Sequence, residues 1–341
     1  MSMSETHRLR AERRVAVITP VLDDWRCLHS LVAAVDALAP RIGRVSVFAI
    51  DDGSIEPAHR GGLAPVSRHL ERLTIVHLAC NLGHQRAIAV GLAHVAALGG
   101  FDLVIVADSD GEDRPEEFLR LIAQHERQPE AVVVAQRHKR SEGYVFRRCY
   151  STYKGLFRLL TGKVIDFGNF CLIPAGQLDR FLHMAELWNH LAATIVRSRV
   201  AIVKVPTVRG ERYEGRSRMN LVSLVTHGLS AISVFSDFLF VRLLLFCGMA
   251  AGGAGALGLA ALVVRMTTDL AVPGWTTTVT GIAAVILFQV ITLLGVATFM
   301  MLANRSAAPV VPARQALHYV RKTMVIESPC QTAPLPIAVR N

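Results

Sequence analysis

The chemistry of this chain is most concentrated in Val104-Ile-Val-Ala-Asp108-Ser-Asp110-Gly-Glu-Asp113. Leu103 to Ala107 is a continuous apolar stretch of the kind that forms a fully buried strand. It ends in carboxylates. Asp108 and Asp110, placed where a buried strand leaves its sheet, are hard oxygen ligands suited to a divalent cation carrying phosphates. The same turn would also lead into a helix, because Asp113-Arg-Pro-Glu-Glu117 is good helix-start chemistry with Asp113 as the cap. Three further polar groups end other apolar runs: Thr19-Pro20 with Asp23-Asp24, Asp51-Asp52-Gly53-Ser54, and Asn81-Leu-Gly83.

The elements that position these groups are predicted as alternating strands and helices. Val15 to Val21, Val45 to Ile50, Leu73 to Leu78, Phe101 to Ala107 and Ala131 to Ala135 read as strands, with helices over Trp25 to Leu38 and Gln85 to Leu98. Alternation of this kind argues a doubly wound α/β sheet, with a nucleotide site at the carboxyl ends of its strands. No G-x-G-x-x-G follows the first strand and no G-x(4)-G-K-[ST] occurs, which disfavours a Rossmann dehydrogenase or a P-loop NTPase.

The apolar residues pile up after Ser236. Residues 243–264 and 278–303 carry no charge, and each is long enough for the ~30 Å hydrocarbon core of a bilayer. Pro273-Gly274 marks a turn between them, and Trp275 suits interface depth. Glycines 248, 252, 253, 255 and 258 are expected to let the two helices approach closely. Basic residues before the first span and after the second outnumber those of the connector. Both ends of the hairpin are therefore expected in the cytoplasm, with the catalytic domain on the cytoplasmic face of the inner membrane. Residues 221–240 read as an amphipathic interfacial helix, with the last helix of the soluble domain as the alternative. The expected organisation is a polar extension 1–14, a catalytic domain 15–220, the interfacial helix 221–240, a transmembrane hairpin 241–304 and a basic tail 305–341.

The formal net charge of +10 fits an anionic membrane surface. Nucleic acid would explain the charge but not the hairpin. The six cysteines (Cys27, Cys80, Cys149, Cys171, Cys247 and Cys330) are scattered without metal-like spacing, as expected of reduced thiols in a cytoplasmic compartment. Residues through Arg14 lack an apolar core, so no signal peptide is expected there.

Taken in order, Thr19-Pro20-Val21 with Asp23-Asp24, Ile50-Asp51-Asp52-Gly53-Ser54, Asn81-Leu-Gly83 continuing to Gly91-Leu92, Asp108-Ser-Asp110 with Asp113-Arg-Pro115-Glu116, and Arg212-Tyr-Glu-Gly215-Arg-Ser217 resemble family 2 glycosyltransferases of the GT-A fold. The polyprenyl-phosphate sugar-transferase branch, dolichol-phosphate-mannose-synthase-like, is the most similar, because two spans follow. The resemblance covers residues 15 to 305. It implies an inverting transfer of a hexose from a nucleotide-sugar to polyprenyl phosphate, with Mg²⁺ or Mn²⁺ held by Asp108 and Asp110 and with Glu112 as a candidate third ligand. It further implies nucleotide-sugar contacts from Pro20, Asp24, Asp52, Gly53, Asn81, Gly83, Arg86, Asp108 and Ser217. Arg137 and Arg140 would clamp the lipid phosphate, with Arg212 on a mobile loop at the pyrophosphate; relatives can be homo-oligomers through their membrane helices.

The chain departs from the family at Asp166-Phe-Gly168-Asn169, where many relatives carry an acidic residue at the position of Asn169. An amide is no general base. A lipid monophosphate, with a second pKa of ~6, is largely ionised near neutrality and needs positioning more than deprotonation. Asn169 therefore favours a phosphate acceptor over a hydroxyl, and Asp166 stands as an alternative catalytic carboxylate beside Asp110 and Arg212. The competing readings are transfer to a glycolipid or polysaccharide hydroxyl, and an inactive membrane scaffold of the same fold.

Overall fold

The computed structural model describes residues 12–56, 68–137, 154–214, 221–268, 272–306 and 308–326. They fall into two compact units, a sheet unit and a helical unit.

The sheet unit holds β1 (Arg14–Val21), α1 (Trp25–Ile42), β2 (Arg44–Asp51), β3 (Arg72–Leu78), α2 (His84–Leu98), β4 (Leu103–Val106), α3 (Glu116–Arg127) and β5 (Val132–Arg137). The helix α4 (154–161) belongs to the other unit. The sheet unit continues with β6 (Cys171–Pro174), α5 (Ala175–Leu182), α6 (Leu191–Arg197), β7 (Ile202–Thr207) and α7 (Leu221–Ser233). After α8 (Ser236–Thr267) and α9 (Trp275–Ser306) it closes with the short α10 (Pro312–Gln315) and β8 (Val320–Ile326).

The eight strands form one mixed sheet in the order β7-β5-β6-β4-β1-β2-β3-β8. The central strands β4, β1, β2 and β3 are parallel, and β6 and β8 run against their neighbours. Two apolar clusters sandwich the sheet, one through α2 and one through α1 and α3. The central strands are buried on both faces, which is why they read as uninterrupted apolar runs. Packing of α2 is close. A Cβ at Gly91 would stand 2.6 Å from the Ile18 side chain and 2.9 Å from that of Ile50, so only glycine fits this approach.

Register aligns the strand ends that matter. Val21 pairs with Asp51, and Asp51 with His77, while Ile18 pairs with Val106, so that β4 leaves the sheet beside β1. The polar ends of β1, β2, β3 and β4 therefore share one edge.

Three strands lie beyond the sequence reading. β6 is four residues long, and β7 is six residues long, only partly buried and interrupted by Pro206. The third, β8, corrects the reading of 305–341 as a basic tail: Val320–Ile326 pairs antiparallel with β3 and closes that side of the sheet. Its exposed charges, Arg321 and Lys322, suit an edge strand, because charge there discourages further pairing.

In the helical unit, α8 and α9 are each 32 residues long, about 48 Å at 1.5 Å per residue, and exceed the predicted spans at both ends. Both are long and apolar enough to cross a membrane. The segment 221–240 is not one helix, since α7 ends at Ser233 and α8 starts at Ser236. Close approach of α8 and α9 does not rest on the predicted glycines. Of the five, only Gly258 has a neighbour within reach, the Ala283 Cβ at 3.6 Å. Burial on α8 falls instead on Cys247, Ala254 and Ala261, seven residues apart, a seam of small side chains. Among the described residues Cys27, Cys80, Cys171 and Cys247 are free thiols.

Candidate active site

The edge at the ends of β1 to β4 gathers the predicted groups. Asp52 follows β2 and is 3 % exposed. Its Oδ1 accepts from the Leu82 N–H at 2.7 Å and its Oδ2 from the Gly83 N–H at 2.9 Å. Asp52 thus holds the Asn81–Gly83 loop in place. Burial raises its pKa, against those two hydrogen bonds. Gly53 has φ 80°, and a Cβ there would meet the Asn81 nitrogen at 2.9 Å, so the two loops touch only because residue 53 is glycine. Asp51 pairs with His77 Nδ1 at 2.6 Å and accepts from the Ser54 N–H, completing the turn. Asp23 receives the N–H groups of Ile55 and Glu56, which ties the β1 loop to the β2 loop.

The acidic turn after β4 is locked to the same edge. Ser109 donates to the Pro20 carbonyl at 3.3 Å, and Asp113 accepts from the Asp108 N–H at 3.0 Å. Asp113 therefore closes the acidic turn and does not cap α3, whose N-cap position is Pro115. Asp110 accepts from the Glu112 N–H through Oδ1. Burial, then the neighbouring charge of Asp108, raises the Asp110 pKa.

The segment after β7 lies across this turn. Gly210 donates to the Glu112 carbonyl at 2.9 Å and Tyr213 to the Asp110 carbonyl at 2.8 Å. The Arg212 fork reaches Asp24 Oδ2 and Asp110 Oδ2, each at 3.2 Å. Arg209 binds Glu112 at 2.6 Å, so the carboxylate expected as a third ligand carries an ion pair of its own.

Sequence reasoning misses one residue that the fold brings to this edge. His84, the first residue of α2, places Nε2 3.3 Å from Asp108 Oδ1. An amide relay fixes what that nitrogen faces. The Leu191 backbone N–H donates to Gln85 Oε1, which turns the Gln85 amide nitrogen onto Asn169 Oδ1 at 3.1 Å. Asn169 must then present Nδ2 to His84 Nε2, 3.1 Å away, and asks it to accept. Burial lowers the His84 pKa, but Asp108, Asp113 and Asp52 outweigh it and leave it raised. The relay and the carboxylates thus make opposite demands on one nitrogen.

Other expected site residues lie elsewhere. Asp166 is held by Lys204 Nζ at 2.8 Å and Gln136 Nε2 at 2.7 Å, on β7 and β5, an ion pair that engages the carboxylate proposed as catalytic. The Arg86 guanidinium stacks 5.8 Å over the Trp188 ring. Arg137 ends β5 in register with Thr207. Arg140 and Ser217 lie outside the described residues.

A divalent cation suits the charge of this edge. Asp108 and Asp110 supply hard oxygens, and their burial and mutual repulsion, which raise the Asp110 pKa, are what a bound cation would relieve. Among the described residues no three His, Cys, Asp or Glu side chains converge as a complete cage. One or two carboxylates suffice where substrate phosphates complete the coordination.

The chain is similar to undecaprenyl-phosphate 4-deoxy-4-formamido-L-arabinose transferases. That of Klebsiella pneumoniae is 27% identical over 263 residues, covering 74% of this chain and 77% of the relative. That of an Enterobacter species is 26% identical over 253 residues, covering 69% and 74%. Among solved structures, glucosyl-3-phosphoglycerate synthase from Mycobacterium tuberculosis, with Mn²⁺, UDP and phosphoglyceric acid, aligns at a TM-score of 0.49 with 16% identity, over 70% of this chain and 82% of that one. Residues 16–193, the stretch from β1 through the acidic turn to α6, match the model of Glycosyl transferase family 2. The chain belongs to that family and is a glycosyltransferase.

Proposed function

We propose that this chain transfers a hexose, with inversion, from a nucleotide-sugar to a polyprenyl phosphate at the cytoplasmic face of a membrane crossed by α8 and α9. The observation that carries this reading is the path of the chain. It leaves the sheet unit after α7, runs through two successive helices of bilayer-crossing length, and rejoins the same sheet as β8. A chain that leaves and rejoins one folded unit crosses a bilayer an even number of times. A hairpin meets that condition and tethers the site where an acceptor's phosphate lies. The excess of basic residues flanking the hairpin, against Arg265 and Asp269 near its tip, supports the cytoplasmic orientation. The relatives' names support the acceptor class.

In this reading Asp108 and Asp110 hold Mg²⁺ or Mn²⁺, which when bound acts as a Lewis acid on the leaving diphosphate. Asp24 and the Asp51–Ser54 turn receive the nucleoside, and Asp52 keeps the Asn81–Gly83 backbone within reach of the donor. Arg212 and Ser217 face the diphosphate, and Arg137 and Arg140 the acceptor phosphate, for which guanidinium geometry is suited. A phosphate nucleophile already ionised needs no base, so Asn169 is free to serve the relay to His84.

The experiment is incubation of membranes carrying the chain with labelled nucleotide-sugars and Mg²⁺ or Mn²⁺. A solvent-extractable product that releases its label in mild acid is expected of a glycosyl phosphate. An acid-stable glycoside would point to a hydroxyl acceptor instead.

A further inference from the structure

Asp24 and Asp110 come from different strand ends, and one guanidinium joins them. Arg212 Nη2 stands 3.2 Å from Asp24 Oδ2 and Nη1 stands 3.2 Å from Asp110 Oδ2, while Nε donates to the Glu214 carbonyl at 3.2 Å. The segment that carries it is fixed over the acidic turn by backbone hydrogen bonds at Gly210 and Tyr213. The Tyr213 ring also packs on Gly111, where a Cβ would come within 2.7 Å of it. Arg212 is thus held in place, and its exposure is only 21%.

The consequence falls on Asp110. Oδ1 accepts from the Glu112 N–H, and Oδ2 is the oxygen that meets Arg212. A cation that takes Asp110 as a ligand through Oδ2 needs the place now facing the guanidinium. A diphosphate arriving with the ion offers Arg212 a bidentate partner of higher charge than either carboxylate.

We propose that Arg212 is an exchangeable counter-ion: it occupies Asp110 in the donor-free enzyme, competes there with the divalent cation, and yields Asp110 only when a nucleoside diphosphate takes the guanidinium. The proposal rests on the nucleotide-sugar reading above for its second half alone. Its first half, competition at Asp110, concerns the bare metal. The enzyme then binds metal weakly by itself and tightly with donor, so that the ion enters together with its phosphates.

The test is Mn²⁺ binding to the full chain in detergent, read by electron paramagnetic resonance of the free ion, for the parent and Arg212→Ala. With Mn²⁺ alone, the variant is expected to bind several-fold more tightly than the parent. With a nucleoside diphosphate chosen from UDP, GDP and CDP, the order reverses, and the variant binds nucleotide with Mn²⁺ about tenfold more weakly, a loss of about 1.4 kcal/mol. Arg212→Gln, which keeps a donor for Asp110 without the charge, carries the comparison if the alanine variant does not fold. Equal or weaker binding of Mn²⁺ alone by the folded variants overturns the proposal. If the parent responds to none of the three nucleotides, the donor reading fails, and the Mn²⁺-only comparison still decides the competition.

Discussion

Asn169 Nδ2 lies 3.1 Å from His84 Nε2, a contact that an amide can make by donating and a carboxylate cannot. The relay from the Leu191 N–H through Gln85 leaves Asn169 only its amide nitrogen to offer. Asn169→Asp would replace that donor with a carboxylate and remove the neighbour that favours a bare Nε2. The His84 pKa, already raised, is expected to rise further in the metal-free variant, as read by ¹⁵N resonances of the imidazole. An unchanged titration would refute the relay.

Asp52 acts on the donor site through the backbone it holds. Asp52→Ala leaves the part-buried Leu82 and Gly83 N–H groups without their acceptor, at a cost of about 1 kcal/mol each, the low end for groups that water can reach. Denaturant unfolding should show a loss of roughly that size. Nucleotide-sugar affinity should fall with it, and Asp52→Asn, which keeps one accepting oxygen, should fall between.

His190 and His227 predict acid sensitivity in the packing of α7. The Ala193 N–H donates to His190 Nδ1, which leaves Nε2–H to donate to His227 Nε2 at 3.2 Å. Burial, and then the charge of His227, pushes His190 down to about 3 from 6.5, and His227 is also lowered, by burial first. A pKa lowered by folding means that the unfolded chain binds the proton first. Stability is complete above pH 6.5 and declines as pH falls toward 3, at a limiting slope of about 1.4 kcal/mol per pH unit for one histidine. His190→Asn, which keeps a capping oxygen, should flatten that part of the profile; an unaltered slope would assign the acid sensitivity to other groups.

The closing strand gives a prediction about truncation. A chain ending before Val320 would strip β3 of its antiparallel partner and leave an apolar strand edge open. Aggregation on extraction is expected, where loss of a plain tail would be silent. Size-exclusion profiles of the two lengths decide this.

The legible parts of the fold are those whose signal is local. β1 to β4 are buried on both faces, so they read as apolar runs, and each ends in a polar group that belongs to the site. β6 is too short to carry a pattern, and β8 exposes Arg321, Lys322 and Thr323 as an edge strand should. Pairings across the fold leave no local trace. Nothing near Asp166 announces Lys204, and Asp24 and Arg212 are 188 positions apart. His84 reads as an ordinary first helical residue until the fold brings Asp108 and Asn169 against it.

Transfer to a lipid phosphate can be measured directly. Purified full-length chain in lipid nanodiscs, given Mn²⁺ and a panel of nucleotide-sugars, is offered polyprenyl phosphate or the corresponding polyprenol, with products weighed by mass spectrometry. One glycosyl unit is expected on the phosphate and none on the alcohol, with the product lost on chelation and in Asp110→Asn. Addition to the alcohol, or product unaffected by chelation and by Asp110→Asn, would contradict that expectation.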